Sequence, residues 1–143
     1  MDKLSHLTIY TDGGARGNPG PAATGIYITD QRGNKITGFG KKLGITTNNV
    51  AEYTAVIQAL DWVLEHRNEF AESLTIFFFM DSQLVYAQIL GVWKVKNEAL
   101  GNLLGIVREK KSHSNATFSF THIPREKNKE ADRFVNLALD NKL

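Results

Sequence analysis

The chain has 143 residues and no cysteine, and its 17 Lys and Arg against 15 Asp and Glu give a net charge of +2. The length predicts one domain, residues 1–143, and because no apolar run approaches the roughly 20 residues of a membrane helix, we expect a cytoplasmic protein without a membrane partner. The lack of cysteine excludes disulfides and thiolate metal sites, which favours Mg²⁺ or Mn²⁺ over zinc.

Residues 7–21 begin as a predicted strand and end in a glycine-rich loop. Apolar and polar residues first alternate, which is typical of a half-buried strand, and four glycines then follow: Gly13, Gly14, Gly17 and Gly20. Asp12 lies where the strand meets the loop, and glycines without Cβ atoms would let a large ligand approach the main chain. An acidic turn residue that opens a glycine hairpin would give the same pattern.

Two more strands, over residues 22–29 and 35–43, complete a predicted antiparallel meander, and residues 46–49 then cap a helix that runs to about His66. Glu52 lies in the first turn of this helix and shares a face with apolar residues that should pack on the sheet: Val56, Ala59, Leu60 and Val63. A capping box between Asn49 and Glu52, or the helix dipole, would also favour an acid here.

Residues 74–80 form a continuous apolar run, which predicts a central parallel strand that is buried on both faces. Asp81 follows at the carboxyl end of this strand, where open α/β sheets present their ligands, although a helix N-cap is the alternative. Helices over 84–90 and 99–111 and a strand over 116–123 come next. The last predicted helix, 128–141, carries Asp132 beside its apolar stripe, where a boundary charge would also be acceptable.

We therefore expect an α/β fold with a five-stranded mixed sheet, three antiparallel strands and then two parallel ones, and helices on both faces. Four acids come from four separate elements: Asp12, Glu52, Asp81 and Asp132. Converging carboxylates raise one another's pKa, so such a cluster is stable chiefly when it binds hard cations. Two Mg²⁺ ions roughly 3.5 to 4 Å apart would activate water and stabilise a leaving oxygen, which fits a nuclease.

Four segments together resemble the successive active-site segments of ribonuclease H type 1: YTDGGARGNPGPA, TTNNVAEYTAVIQAL, MDSQLVYAQILG and REKNKEADRFVN. The resemblance covers nearly the whole chain in the right order, and it implies the ribonuclease H-like fold. It implies that the four acids are the metal-binding catalytic carboxylates. The implied reaction is endonucleolytic cleavage of the RNA strand of an RNA/DNA hybrid by two Mg²⁺ or Mn²⁺ ions, leaving 5′-phosphate and 3′-hydroxyl ends. We expect a monomer.

The resemblance also implies a surface that binds the hybrid. The main chain of Gly13 and Gly14 would reach the 2′-hydroxyl by which a protein distinguishes RNA from DNA. Four amide side chains match groove-facing positions, where they would contact sugars and base edges: Asn18, Asn48, Asn49 and Gln83. Thr47 matches a position that contacts the DNA-strand phosphate. Asn18 would equally suit a turn, and either Asn48 or Asn49 a helix cap.

The chain departs from the family pattern before residues 93–96, where many bacterial relatives insert a lysine-rich helix that this sequence lacks. Phosphate contacts supply most non-specific affinity, so we expect weaker and more salt-sensitive binding that depends on the remaining lysines, Lys94 among them. Trp93 would stack or pack near the nucleic-acid backbone, and a partly buried core position is the alternative.

A second departure concerns the loop before the last helix, where many relatives place a histidine. We favour Arg125 as its replacement, because a guanidinium stays protonated and can hold the scissile phosphate or the leaving group. His122 is interpreted as a strand residue from its alternation. Two rival functions are a hybrid-binding protein without cleavage, against which the full set of acids argues, and another phosphoryl-transfer enzyme on the same scaffold.

Overall fold

The computed structural model describes residues 2–143, which form a five-stranded mixed sheet with the strand order β3-β2-β1-β4-β5. The strands are β1 (His6–Ala15), β2 (Gly20–Thr29), β3 (Lys35–Thr46), β4 (Leu74–Met80) and β5 (Ala116–His122). β2 is antiparallel to both β1 and β3, whereas β4 is parallel to both β1 and β5. The predicted arrangement of three antiparallel strands followed by two parallel ones is confirmed.

Within residues 2–143 the α-helices are α1 (Asn48–Glu65), α2 (Gln83–Ile89), α3 (Glu98–His113) and α4 (Lys129–Leu139). None of these helices combines the length and apolar character that crossing a bilayer requires. The main core lies between the sheet and α1, and it includes Ile26 of β2. Successive residues of a strand point to opposite faces, so the neighbouring Gly25 faces α4, where a Cβ would lie 1.9 Å from the Ala131 carbonyl oxygen. Helices therefore cover both faces, as predicted.

The first strand is longer than the sequence pattern indicates. β1 continues through Gly13 and Gly14 to Ala15, because these residues pair with Thr24, Ala23 and Ala22 of β2. The predicted boundary of the glycine loop is therefore wrong, and the loop spans only residues 16–19. Pairing with a neighbouring strand outweighs the weak strand propensity of glycine.

β4 has the predicted bounds but not the predicted burial. Its residues alternate between buried and half-buried, and Phe77 and Phe79 lie on the half-buried face. There Phe79 stacks on Tyr10 with 5.3 Å between the ring centroids, and Phe77 stacks on His6 at 6.2 Å. The continuous apolar run thus consists of one buried face and one half-buried face of stacked aromatic rings. The second face stays half-buried because α4, the helix on this side of the sheet, packs over β1, β2 and β3.

Candidate active site

Three of the four predicted acids meet where the pairing of β1 with β4 ends. Thr11 and Met80 are partners in the parallel register, so Asp12 and Asp81 follow at adjacent positions. Asp12, Glu52 and Asp81 each offer a carboxylate oxygen, and these oxygens lie within 4.8 Å of one another. Asp12 and Glu52 are each only 8% exposed, and Asp81 is half-buried. We call these three residues the acidic cluster.

Glu52 reaches the cluster because α1 begins close to β1. The helix is capped by Thr47, whose hydroxyl accepts a hydrogen bond from the Val50 amide at 3.3 Å. Asn49 lies inside the helix, so the capping-box alternative is wrong. A Cβ at residue 13 would lie 2.4 Å from the Glu52 nitrogen, which means that Gly13 allows the helix to approach the strand. The contact of Gly13 with a substrate, predicted from the same missing Cβ, stays a prediction.

Asp81 does not cap the helix that follows it. Ser82 is the N-cap of α2 and accepts a hydrogen bond from the Val85 amide at 3.3 Å. The side chain of Asp81 instead accepts a hydrogen bond at Oδ2 from Nδ2 of Asn128, at 3.0 Å. Asp81, at the end of a parallel strand, therefore belongs to the acidic cluster and does not cap the following helix.

Burial and mutual repulsion disfavour the charged form of the cluster. Burial, together with the charge of Asp81, raises the pKa of Asp12 to about 7. Burial and the charges of Asp12 and Asp81 likewise raise the pKa of Glu52 well above its ordinary value. Among residues 2–143, no Lys, Arg or His forms an ion pair with these three carboxylates. A set of three oxygen donors without a protein cation fits a hard divalent ion such as Mg²⁺ or Mn²⁺.

A cleft of about 440 Å³ opens over the cluster and holds Asp132, which is half-buried in the first turn of α4. Asp132 is not one of the three acids that lie within 4.8 Å of one another, but its charge contributes to the raised pKa of Asp12. Other predicted residues line the same cleft: Gly13, Gly14, Asn48, Asn49 and Arg125. Five predicted residues lie outside this lining: Asn18, Thr47, Gln83, Trp93 and Lys94.

Two of the predicted amides join the glycine loop to the start of α1. Asn18 Oδ1 accepts a hydrogen bond from the Asn48 amide at 3.0 Å, and Asn48 Oδ1 accepts one from the Ala15 amide at 2.8 Å. These contacts fix the edge of the cleft. The side chains of Asn49 and Gln83 make no such hydrogen bond within residues 2–143, and all four amides are exposed. Contact of the four amides with nucleic acid stays a prediction.

The segment after α2 is exposed and apolar. Trp93 is 43% exposed and follows Leu90 and Val92, which are 47% and 70% exposed. Within residues 2–143, Trp93 is neither in the core nor among the partly buried residues that pack against it, so the alternative of a partly buried core position is wrong. Lys94 is exposed beside it, so this segment is available to a large ligand.

Arg125 and His122 occupy different positions relative to the cleft. Arg125 lies exposed on a single 3₁₀ turn, Arg125–Lys127, and lines the cleft. His122 is the last residue of β5, as its alternation predicts, and its Nε2 lies 3.2 Å from the Asp81 carbonyl oxygen. The position of Arg125 is compatible with the role predicted for it.

Sequence reasoning missed Asn128 and the pair of Arg16 and Asn136. Asn128 is 1% exposed, and its Nδ2 donates to the Thr11 carbonyl at 2.9 Å as well as to Asp81. Arg16 donates to Asn136 at 3.2 Å, and Asn136 in turn donates to the Asp132 carbonyl at 3.1 Å. The sequence pattern places Asn128 at the start of the last helix. In the structure it is the N-cap residue of α4, and its side chain makes no capping hydrogen bond.

Comparison with known proteins gives consistent matches. A family model described as "Reverse transcriptase-like" matches residues 10–138. The "Ribonuclease HI" of Halobacterium salinarum is 36% identical and covers 97% of this chain, which spans 67% of that protein. The "Bifunctional protein Rv2228c" of Mycobacterium tuberculosis is also 36% identical over 94% of this chain, which spans only 35% of that protein. The crystal structure of LC11-RNase H1 in complex with RNA/DNA hybrid has a TM-score of 0.89 and 43% identity, covering 94% of this chain and 97% of that one.

Proposed function

This chain belongs to the ribonuclease H family and is a ribonuclease H, and from that premise we propose that it hydrolyses the RNA strand of RNA/DNA hybrids as an endonuclease. The products carry 5′-phosphate and 3′-hydroxyl ends. Residues 1–143 act as one domain and as a monomer.

The observation that carries this proposal is the acidic cluster. Three carboxylate oxygens lie within 4.8 Å of one another, two of the three side chains are buried, and no side chain within residues 2–143 neutralises them by an ion pair. Burying unpaired acids costs stability, so their retention is explained best by a ligand that needs them. Asp132 completes the set from the wall of the cleft.

Asp12, Glu52, Asp81 and Asp132 would hold two Mg²⁺ or Mn²⁺ ions, whose chemistry when bound is to activate the attacking water and to stabilise the leaving oxygen. Asp12 and Glu52 give up the protons that their raised pKa values retain, because a carboxylate ligand must be ionised. Arg125 reaches the same cleft from its rim. There its guanidinium holds the scissile phosphate or the leaving group by charge-assisted hydrogen bonds and cannot act as a base.

The exposed residues around the cleft would bind the hybrid. Asn49 and Gln83 present amides that can both donate and accept toward sugars and base edges. The amide contacts to Asn18 and Asn48 keep the glycine loop and the adjoining end of β1, which carries Gly14, at the edge of the cleft. Thr47 is assigned to a DNA-strand phosphate, and Trp93 and Lys94 are assigned to the nucleic-acid backbone.

The test is cleavage of an end-labelled RNA/DNA hybrid, an RNA duplex and a DNA duplex, each with Mg²⁺, Mn²⁺ or EDTA. We expect metal-dependent cuts confined to the RNA of the hybrid, and a loss of roughly 10³-fold in Glu52→Gln because one ligand is neutralised. Glu65→Gln is the matched control, since it makes the same change in the same helix about 20 Å along the axis, and it should cleave normally. Binding of the hybrid without products under any metal would contradict the proposal.

A further inference from the structure

Asn128 is a buried amide at the point where three elements of the active site meet. It lies just before α4, it is 1% exposed, and its Nδ2 donates to the Thr11 carbonyl at 2.9 Å and to Asp81 Oδ2 at 3.0 Å. Both hydrogens of this amide nitrogen are therefore used. The Oδ1 atom of the same side chain is buried and has no hydrogen-bond partner within residues 2–143.

The two oxygen atoms that face Nδ2 fix the orientation of the amide. A flipped amide would place Oδ1 against a carbonyl oxygen and a carboxylate oxygen, and both contacts would be repulsive. An orphaned buried acceptor costs stability. The two donated bonds must therefore outweigh this cost, and Asn128 is fixed as a double donor.

The bonds of Asn128 connect the parts of the chain that carry three of the four acids. The Thr11 carbonyl belongs to the peptide group that joins Thr11 to Asp12. The second bond reaches the carboxylate of Asp81, and the Asn128 carbonyl accepts from the Asp132 amide at 3.1 Å. Loss of this side chain would therefore release Asp81 and the Thr11–Asp12 peptide group, while Asp132 is tied to residue 128 through the main chain.

The chemical type of the side chain also suits the site. A lysine or arginine in this place would form an ion pair with Asp81 and compete with a bound cation. A neutral amide restricts the Asp81 carboxylate through Oδ2 and adds no charge. Hydrogen bonds of this kind to metal-binding side chains orient the ligands and tune affinity.

We propose that Asn128 is a positioning residue for the cleavage reaction, because its double donation sets the orientation of Asp81 and the spacing of Asp81 from the Asp12 backbone that divalent-cation binding requires. This inference rests on the proposed function of the acidic cluster. It adds to the four acids a positioning residue that carries no charge and does not itself touch the substrate.

The test measures Mn²⁺ binding by electron paramagnetic resonance on the substrate-free protein. In Asn128→Leu, which keeps the branched shape and removes the donors, we expect the dissociation constant to rise at least about tenfold. At the metal concentration that suffices for the wild type, kcat should fall roughly tenfold and recover as Mn²⁺ is added, while KM for the hybrid changes less than about threefold. The matched control is Asn97→Ala, which removes the cap of α3, where Asn97 Oδ1 accepts from the Leu100 amide at 3.0 Å.

Unchanged Mn²⁺ affinity in folded Asn128→Leu would overturn the inference and leave the proposed function standing. A wild-type protein that binds no Mn²⁺ would overturn both. If the leucine variant does not fold, Asn128→Ala takes its place. A measurement on the wild type needs no variant: Mg²⁺ added to ¹⁵N-labelled protein should shift the side-chain amide resonance of Asn128 but not that of Asn97. An Asn128 resonance that is unmoved at saturating Mg²⁺ would likewise overturn the inference.

Discussion

The acidic cluster and the single carboxylate of Asp140 near the cleft have opposite electrostatic settings. In the acidic cluster, burial and like charges raise the pKa of Asp12 to about 7. At the rim, Asp140 accepts a hydrogen bond from Arg16 at 2.7 Å, and this contact lowers its pKa. The side chains of the rim pair are 49% and 40% exposed, whereas Asp12 is 8% exposed.

The difference separates a structural role from a functional one. An exposed ion pair contributes little to stability, and it is already complete within the protein. A buried, unpaired set of acids makes the folded protein less stable and is complete only with a cation from solution. Burial and pairing, rather than residue type, distinguish the two groups.

The largest expected effect comes from neutralising one member of the cluster. Asp12→Asn should reduce hybrid cleavage by roughly 10³-fold, because a metal ligand is lost. It should also raise the melting temperature in EDTA, because a buried acid and its repulsion are removed. Both quantities can be measured on one preparation, by product analysis and by circular dichroism.

Asp140→Asn is the matched change at the rim, and it should leave cleavage within about twofold of the wild type because that acid is paired with Arg16. A lower melting temperature for Asp12→Asn in EDTA would break the comparison, since it would mean that the unpaired acid stabilises the fold.

A smaller effect is expected from the guanidinium that is not paired. Arg125 lines the cleft and, within residues 2–143, forms no ion pair, whereas Arg16 is held by Asp140. Arg125→Ala should lower kcat roughly tenfold, because the charge-assisted contact to the phosphate is lost. Steady-state kinetics on the hybrid would measure this. His122→Ala should change kcat less than threefold. A larger loss of kcat in His122→Ala than in Arg125→Ala would show that the histidine, rather than the arginine, assists cleavage.

The smallest expected effect is a shift in stability with pH. The raised pKa of Asp12 means that the folded state holds a proton that the unfolded state loses near pH 4. Unfolding therefore becomes easier as pH rises from about 4 to about 7, and the melting temperature in EDTA should fall by several degrees over that window. The lowered pKa of Asp140 acts in the other direction and only at lower pH, since its contribution is lost as pH falls through its folded-state pKa.

Calorimetry with EDTA and with saturating Mg²⁺ would measure this shift. Mg²⁺ should reduce the fall in melting temperature between pH 4 and pH 7, because it binds the ionised acids. Asp12→Asn should make the melting temperature less dependent on pH over the same range. A melting temperature that rises between pH 4 and pH 7 in EDTA would contradict the raised pKa values.

Much of the fold was predictable because its signals are local. The apolar run at 74–80 corresponds to β4, and the alternation over 116–123 corresponds to β5, which ends one residue earlier, at His122. Errors arose where a partner strand or helix decides the outcome. Gly13 belongs to a strand because β2 pairs with it, and Phe77 is only half-buried because α4 covers other strands.

The site was partly predictable for the same reason. An acid at the end of a strand or on the inward line of a helix is visible in the sequence, and three such acids meet. Asn128 was predicted only as the first residue of the last helix, because its side-chain partners lie 117 and 47 residues away along the chain. No periodicity or local motif reports a hydrogen bond across such a separation.

The sequence by itself determined the order of strands and helices and the four acids at their ends, because propensity, capping and apolar periodicity act within a few residues. The tertiary structure decided that Asp12, Glu52 and Asp81 form a cluster while Asp132 lies apart on the cleft wall. It also decided that Asp140 is paired and that Asn128 faces Asp81. These outcomes depend on strand register and helix packing, which place atoms together that are distant along the chain.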